Sequence, residues 1–301
     1  MNGKMKKVWW KILLSFFLIY LVWIRVDFRA VGKELAQAPW WLAIALVAYL
    51  FLTNFLAGRR WSLVLLGNEA KWADTWNFVK SNYIGSFYGL VFPTAVAGDL
   101  LKWLPLISKY KKISKAKIGL SVLTDRIIGG MGFLIVAFLV AVAGYFFKIP
   151  FPIYLLWLFS FGLGAMIIFL IIINFIHFEK YLWGRKLTSL IECLRKENHR
   201  VIIRGLILSI VGQILWAVPT WVCLRVFGTT ISFWSAMIIL PIISAVLVLP
   251  ISVAGFGARE QLFLFFFTQM GGQPEKVVAA SAFIGIIGVL NSLIGGLLML
   301  K

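Results

Sequence analysis

Two stretches, FPTAVAGDLLKW (92–103) and LPISVAGFGARE (249–260), decide how this chain folds. Each interrupts a long apolar run, 76–107 in the first half and 234–270 in the second. Pro93 and Pro250 each remove a backbone donor and disfavour helix at the residue before. Gly98, Gly255 and Gly257 permit turns closed to other residues. Both stretches read P-x-x-V-A-G, 157 positions apart. Nine residues after each proline stands a cation, Lys102 or Arg259, with an acid beside it, Asp99 or Glu260. The freed N–H and C=O groups of such a break cannot face lipid, so it must be buried in protein or line a wet cavity.

Around these breaks the chain is strongly apolar. Of 301 residues, 61% are hydrophobic and 14% charged, against roughly 25% charged in a soluble domain. A soluble enzyme, a disordered chain and a disulfide scaffold are excluded. The long unbroken runs disfavour a β-barrel, whose short strands alternate. The expected fold is an all-α polytopic membrane protein. Full spans are expected at 8–24, 40–57, 118–143, 152–176, 202–226 and 277–300, each near the ~20 residues that cross a bilayer core. The N-terminus looks like a signal peptide but lacks an A-x-A site, so an uncleaved first helix is expected.

The two broken stretches fit as re-entrant hairpins, and basic residues test that reading. With a cytoplasmic N-terminus, 21 Lys and Arg fall inside and 6 outside, a positive-inside bias. Arg59, Arg60 and Lys102 are among those counted inside. Both termini are then cytoplasmic, in the plasma membrane. Trp9, Trp10, Trp23, Trp40, Trp41, Trp72 and Trp76 fall near span ends, as an aromatic belt requires. Each half reads span, span, hairpin, span, about 1–145 and 150–301, in opposite orientation. That is an inverted repeat within one domain, 1–301. The connection at 177–200 suits a cytoplasmic amphipathic helix or a solvated basic loop, and His177 and His199 read as loop residues. Cys193 and Cys223 fall on opposite sides, so no disulfide is expected.

The net charge of +19 belongs to helix orientation and anionic lipid heads, not nucleic acid. Asp99, Lys102, Asp125, Arg126, Arg259 and Glu260 sit in or beside apolar segments. An ionisable group at mid-bilayer costs at least ~2.5–3.5 kcal/mol and marks a functional pathway by default. Asp125 and Arg126 diverge by about 100° on a helix, so each needs a partner elsewhere. Asp125 is expected to meet Arg259 or Lys102, and Arg126 to meet Asp99 or Glu260. Lys80 snorkels to the inner surface. Gly85 and Gly89, with Gly129, Gly130 and Gly132, suit close helix packing.

Four elements in order, GRRWSLVLLG (58–67), NYIGSFYGLVFPTAVAGDLLKW (82–103), LTDRIIGGMGFL (123–134) and LPISVAGFGARE (249–260), resemble the lysylphosphatidylglycerol synthase transmembrane region, or flippase-like, family. The resemblance covers nearly the whole chain. It implies a lipid translocase, expected here as a stand-alone member without the synthase domain that makes aminoacyl-phosphatidylglycerol. Other relatives are linked to glycolipid, polyprenyl-linked sugar or hopanoid pathways, which leaves the lipid open. The site residues it implies are Asp99, Lys102, Asp125, Arg126, Arg259 and Glu260.

The leading expectation is a flippase for an anionic or aminoacylated phospholipid, energy-independent or ion-coupled, with no cofactor or metal. Lys102, Arg126 and Arg259 would hold phosphate. A Walker A motif and H-E-x-x-H are both absent from the sequence. Two rivals stand beside it. One is a membrane subunit serving a separate synthase or glycosyltransferase. The other is an intramembrane enzyme using Asp99 and Asp125, although the Ala97-Gly98-Asp99 run lacks the earlier glycine of a G-x-G-D protease.

Overall fold

A computed structural model describes residues 17, 19–91, 98, 101–175, 199–248 and 255–300. Most of the span expected at 8–24 lies outside these residues, as do Trp9, Trp10, Pro93, Asp99, Pro250, Cys193, His177 and nearly all of the 177–200 connection. The described residues are predominantly helical, with no strand among them.

We number the helices whose two ends are described: α1 Phe28–Gln37, α2 Trp40–Leu66, α3 Trp72–Val91, α4 Leu104–Lys109, α5 Lys115–Phe146, α6 Tyr154–Phe175, α7 His199–Val226, α8 Phe233–Val248, α9 Ala258–Thr268 and α10 Pro274–Met299. Local chemistry sets several ends. Asp27 caps α1 by accepting from the Arg29 N–H at 2.8 Å, and Ser114 caps α5 through the Lys117 N–H at 3.2 Å. Pro274 opens α10, where its missing donor is harmless. Pro219 lies inside α7 and Pro241 inside α8 without ending either helix.

Among the described residues, four helical segments are long and apolar enough to cross a membrane: Trp40–Glu69, Lys115–Phe146, His199–Val226 and Pro274–Met299. The expected count was six. Helix α6 has 22 residues, with a described apolar part ending at Phe169. Helix α2 also runs nine residues past its expected end at 57. Its extension carries Arg59 and Arg60 on helix, not in a loop, because Gly58, Trp61, Leu63, Val64 and Leu65 are buried there. His199 likewise opens α7 instead of standing in a loop. Helix α1 was not anticipated. It buries Val31 in the same apolar core as the start of α10 and exposes Arg29 and Lys33.

Two apolar clusters define the ends of the bundle. At one end Trp61, Leu65, Phe78, Leu106, Ile118 and Val122 pack together, joining the end of α2 to α3, α4 and the start of α5. Nearby, Leu63 and Ala70 pack on Val201 at the start of α7. At the other end a larger core joins Leu42 and Leu46 of α2, Ala141 of α5, Leu224 of α7, Ile239 of α8, Phe267 of α9 and Val277 of α10. We call these the Trp61 end and the Phe267 end. Trp72 and Trp76 are exposed near the first, and Trp23, Trp40, Trp41 and Trp234 near the second. The Leu, Ile and Phe side chains exposed on α6, including Phe161, Ile168 and Ile172, fit a lipid-facing helix.

The described flanks of the two interrupted stretches lie inside this bundle. Helix α3 leaves the Trp61 end. The later segment through Gly98 and Lys102 then passes so close that a Cβ on Gly85 would lie 2.6 Å from Lys102 Cβ and 2.9 Å from the Gly98 carbonyl oxygen. Leu106 of α4 is back in the Trp61 cluster. Helix α8 leaves the Phe267 end. Gly255 and Gly257 both take φ +81°, a left-handed conformation that suits glycine. From there α9 carries Phe263 and Phe267 back into the Phe267 core.

Candidate functional site

A cavity of about 680 Å³ lies between the helices. Its wall includes Arg60 and Asn54 of α2, Asn82 and Gly85 of α3, Asp125 and Arg126 of α5, and Ser209 and Gln213 of α7. The turning segments supply Gly98, Lys102, Gly255 and Arg259, and α10 supplies Gly285, Asn291 and Ser292. At 1.5 Å per residue, Arg60, Asn82, Asp125, Ser209 and Asn291 lie roughly 9–15 Å in from the Trp61 ends of their helices. Leu50, Gly89, Trp216 and Gly285 lie roughly 21–26 Å in on the same measure. The spanning helices α2, α5, α7 and α10 are roughly 39–48 Å long, so five helices present these residues at a shared intermediate depth.

Asp125 is buried on α5, and its partner is Arg60. Arg60 Nε donates to Asp125 Oδ1 at 2.6 Å and Nη2 to Oδ2 at 3.0 Å. Nη1 donates to Ser209 Oγ at 3.1 Å, while that hydroxyl donates to the Gly205 carbonyl at 2.8 Å. This planar two-point geometry is what a guanidinium and a carboxylate favour. The guanidinium lies on Gly129, where a Cβ would come within 3.1 Å of it. The expected pairing of Asp125 with Arg259 or Lys102 is therefore corrected. A span ending at 57 puts Arg60 in a cytoplasmic segment, whereas the helix continues to Leu66 and carries Arg60 into the bundle. The arginine-tryptophan pair inside an otherwise apolar run was the signal for it. Lys102 and Arg126 still act electrostatically on the Asp125 carboxylate.

Lys102 is buried, with Nζ 4.7 Å from the centre of the Trp61 ring, a cation–π distance. The Trp61 indole donates to Ser121 Oγ at 2.9 Å. Arg126 is exposed and lines the cavity. Glu260 belongs to Arg259, which corrects the expected pairing of Arg126 with Glu260, while the other expected partner, Asp99, lies outside the described residues.

The Arg259–Glu260 pair is local. Arg259 Nη2 donates to Glu260 Oε1 at 2.9 Å, with Nε at 3.3 Å. Ser281 Oγ donates to the same oxygen at 3.2 Å, and the Gly257 N–H donates to Oε2 at 2.7 Å. Glu260 is buried and absent from the cavity wall. Its carboxylate closes the first turn of α9 and holds the Arg259 guanidinium in place. The Arg259 guanidinium lies over Gly285, whose added Cβ would collide with Nη2.

Lys102, Asp125, Arg126 and Arg259 thus share one cavity, whereas Glu260 stands behind it and Asp99 lies outside the described residues. Sequence reasoning missed Arg60 and the amides Asn54, Asn82, Gln213 and Asn291. Uncharged amides in apolar helices were the available signal for the latter.

No curated protein and no solved structure matches this chain. A family model described as the lysylphosphatidylglycerol synthase TM region matches residues 8–296. That match spans nearly the full length, including every charged residue of the cavity, and the chain belongs to the lysylphosphatidylglycerol synthase transmembrane family.

Proposed function

We propose that this chain is a lipid translocase that passes an anionic headgroup through the mid-depth cavity while the acyl tails stay in the bilayer. One observation carries the reading. Four cations, Arg60, Lys102, Arg126 and Arg259, reach one cavity, and Asp125 is the carboxylate on its described wall. Ionisable groups gathered inside an apolar bundle mark a functional pathway by default. Arg126 and Arg259 suit two-point contact with phosphate oxygens, and Lys102 supplies a point charge.

The transport cycle follows from the two turning segments. We read 76–107 and 234–270 as re-entrant hairpins entering from opposite faces, the halves of an inverted repeat. The return of α4 to the Trp61 end and of α9 to the Phe267 end supports this. We place the Trp61 end in the cytoplasm of a cell-membrane protein. Setting aside Arg60 and Lys102, which lie in the cavity, 19 of the 21 cations counted inside remain, against 6 outside. Rocking of one half against the other would open the cavity to each leaflet in turn.

The test is leaflet exchange. Purified full-length chain goes into liposomes holding tail-labelled phosphatidylglycerol, and a membrane-impermeant reductant bleaches the outer leaflet. Exchange should be fast with the native chain. Arg259→Ala should slow it about tenfold or more, the equivalent of one charge-assisted hydrogen bond. Exchange no faster than in protein-free vesicles sinks the reading and favours a subunit serving a separate synthase.

A further inference from the structure

The cavity wall is as rich in neutral hydrogen-bonding groups as in charge. Helices α2, α3 and α10 each present an amide to it, Asn54, Asn82 and Asn291, and α7 adds Gln213. Each primary amide offers two donors and a carbonyl acceptor. Asn291 Oδ1 is buried and makes no hydrogen bond in the structure. A buried acceptor left unmade is costly, so a turn of the Asn291 amide toward a ligand hydroxyl in the cavity would satisfy it.

The carboxylates point the other way. An aminoacylated headgroup brings ammonium groups that need carboxylate acceptors once desolvated. Asp125 gives an oxygen to each of two Arg60 N–H groups. Glu260 is committed to Gly257, Arg259 and Ser281. Among the described residues, neither carboxylate is left open to an incoming cation. Phosphate alone would need the cations but not four amides.

We infer that the lipid carried here bears a phosphodiester with adjacent hydroxyls, a glycerol- or sugar-phosphate headgroup, in preference to a bare phosphate or an aminoacylated one. This rests on the translocase reading for its purpose, but not for its test. A site built to bond hydroxyls rejects a ligand that lacks them, because its own polar groups are then left unpaired.

Binding is measured on the full-length chain in detergent with short-chain lipids, without any transport step. Dioctanoyl phosphatidylglycerol and phosphatidylinositol should each bind about tenfold or more tightly than dioctanoyl phosphatidic acid, the difference of one or two hydrogen bonds. Lysyl-phosphatidylglycerol should bind more weakly than phosphatidylglycerol. Asn291→Leu and Asn82→Leu should remove the preference for hydroxyls while phosphatidic acid binding stays at the native level, which shows that the variants are folded. Should either variant lose all binding, Asn291→Ser and Asn82→Ser replace it and should reduce the preference severalfold. Equal affinity for phosphatidic acid and phosphatidylglycerol overturns the proposal, and so does tightest binding of the lysyl lipid. Deacylated glycerophosphoglycerol binding as tightly as the lipid overturns the lipid assignment. These outcomes are separate from the leaflet-exchange result, so either reading can fail alone.

Discussion

Arg60 and Asp125, 65 positions apart in the chain, form a two-point ion pair, with Nε–Oδ1 at 2.6 Å and Nη2–Oδ2 at 3.0 Å. The pair ties α2 to α5 and, through Ser209, to α7. Removing one partner leaves a buried charge uncompensated, at about 3–5 kcal/mol. Arg60→Ala and Asp125→Ala should each lower the thermal midpoint in detergent substantially. Arg60→Met with Asp125→Leu should be milder than either single change, because no charge is stranded. Single variants as stable as the native chain would show that the pair is solvated.

Gly285 and Gly288 sit one turn apart on the cavity wall and should respond differently to alanine. The Gly285 Cβ would meet the Arg259 guanidinium, a mobile side-chain end, whereas the Gly288 Cβ meets nothing within 4 Å. Gly285→Ala should displace Arg259 and slow lipid exchange about as much as Arg259→Ala, with the fold retained. Gly288→Ala should exchange lipid at the native rate. Equal behaviour of the two would remove Gly285 as the seat of Arg259.

Gly295 faces backbone instead. Its Cβ would strike the Tyr83 carbonyl group, with the carbon 2.5 Å away, and backbone cannot swing aside. Gly295→Ala should therefore destabilise by about 1–3 kcal/mol or more, read as a lower thermal midpoint. Gly212→Ala, with open space at Cβ, serves as the control.

Glu260 is expected to matter for position, not contact. Glu260→Ala strands the Gly257 N–H and frees Arg259, at about 1–3 kcal/mol for the unmet group. Glu260→Gln keeps an acceptor and should fall between alanine and the native chain in both stability and lipid exchange. A Gln variant as impaired as Ala would mean that the negative charge itself is required.

Outside the membrane, the Tyr110 hydroxyl donates to Asp74 Oδ1 at 3.0 Å and accepts from Asn77 Nδ2 at 3.3 Å. Burial, followed by the bond to Asp74 and its charge, pushes the phenol up to about 12 from 10.0, with the Asn77 bond opposing. A raised value means the folded state holds the proton more tightly. The stabilisation is thus complete below about pH 10 and is lost as pH rises through about 12. The thermal-midpoint advantage of the native chain over Tyr110→Phe should shrink across that window and hold steady below it.

Much of the architecture was legible residue by residue along the chain. Apolar length placed α5, α6, α7 and α10 to within three residues at each end, because transfer into a bilayer is a property of a contiguous segment. Gly255 and Gly257 marked the second interruption, because a glycine acts on its own backbone. The same logic singled out Lys102, Asp125, Arg126 and Arg259, which the fold brings to one cavity. It missed helix α1, whose Phe28, Val31 and Leu35 are too few to stand out.

Partnership was decided only in three dimensions. Asp125 could have met any cation at its depth, and packing of α2 against α5 chose Arg60. Glu260 looked like a binding group until its oxygens were found bonded to Gly257, Arg259 and Ser281. Asn82 and Asn291 acquired meaning only when α3 and α10 brought them to one wall. Hydrophobicity and backbone breaks are local and can be summed along a segment, whereas an ion pair depends on which surfaces of distant helices meet.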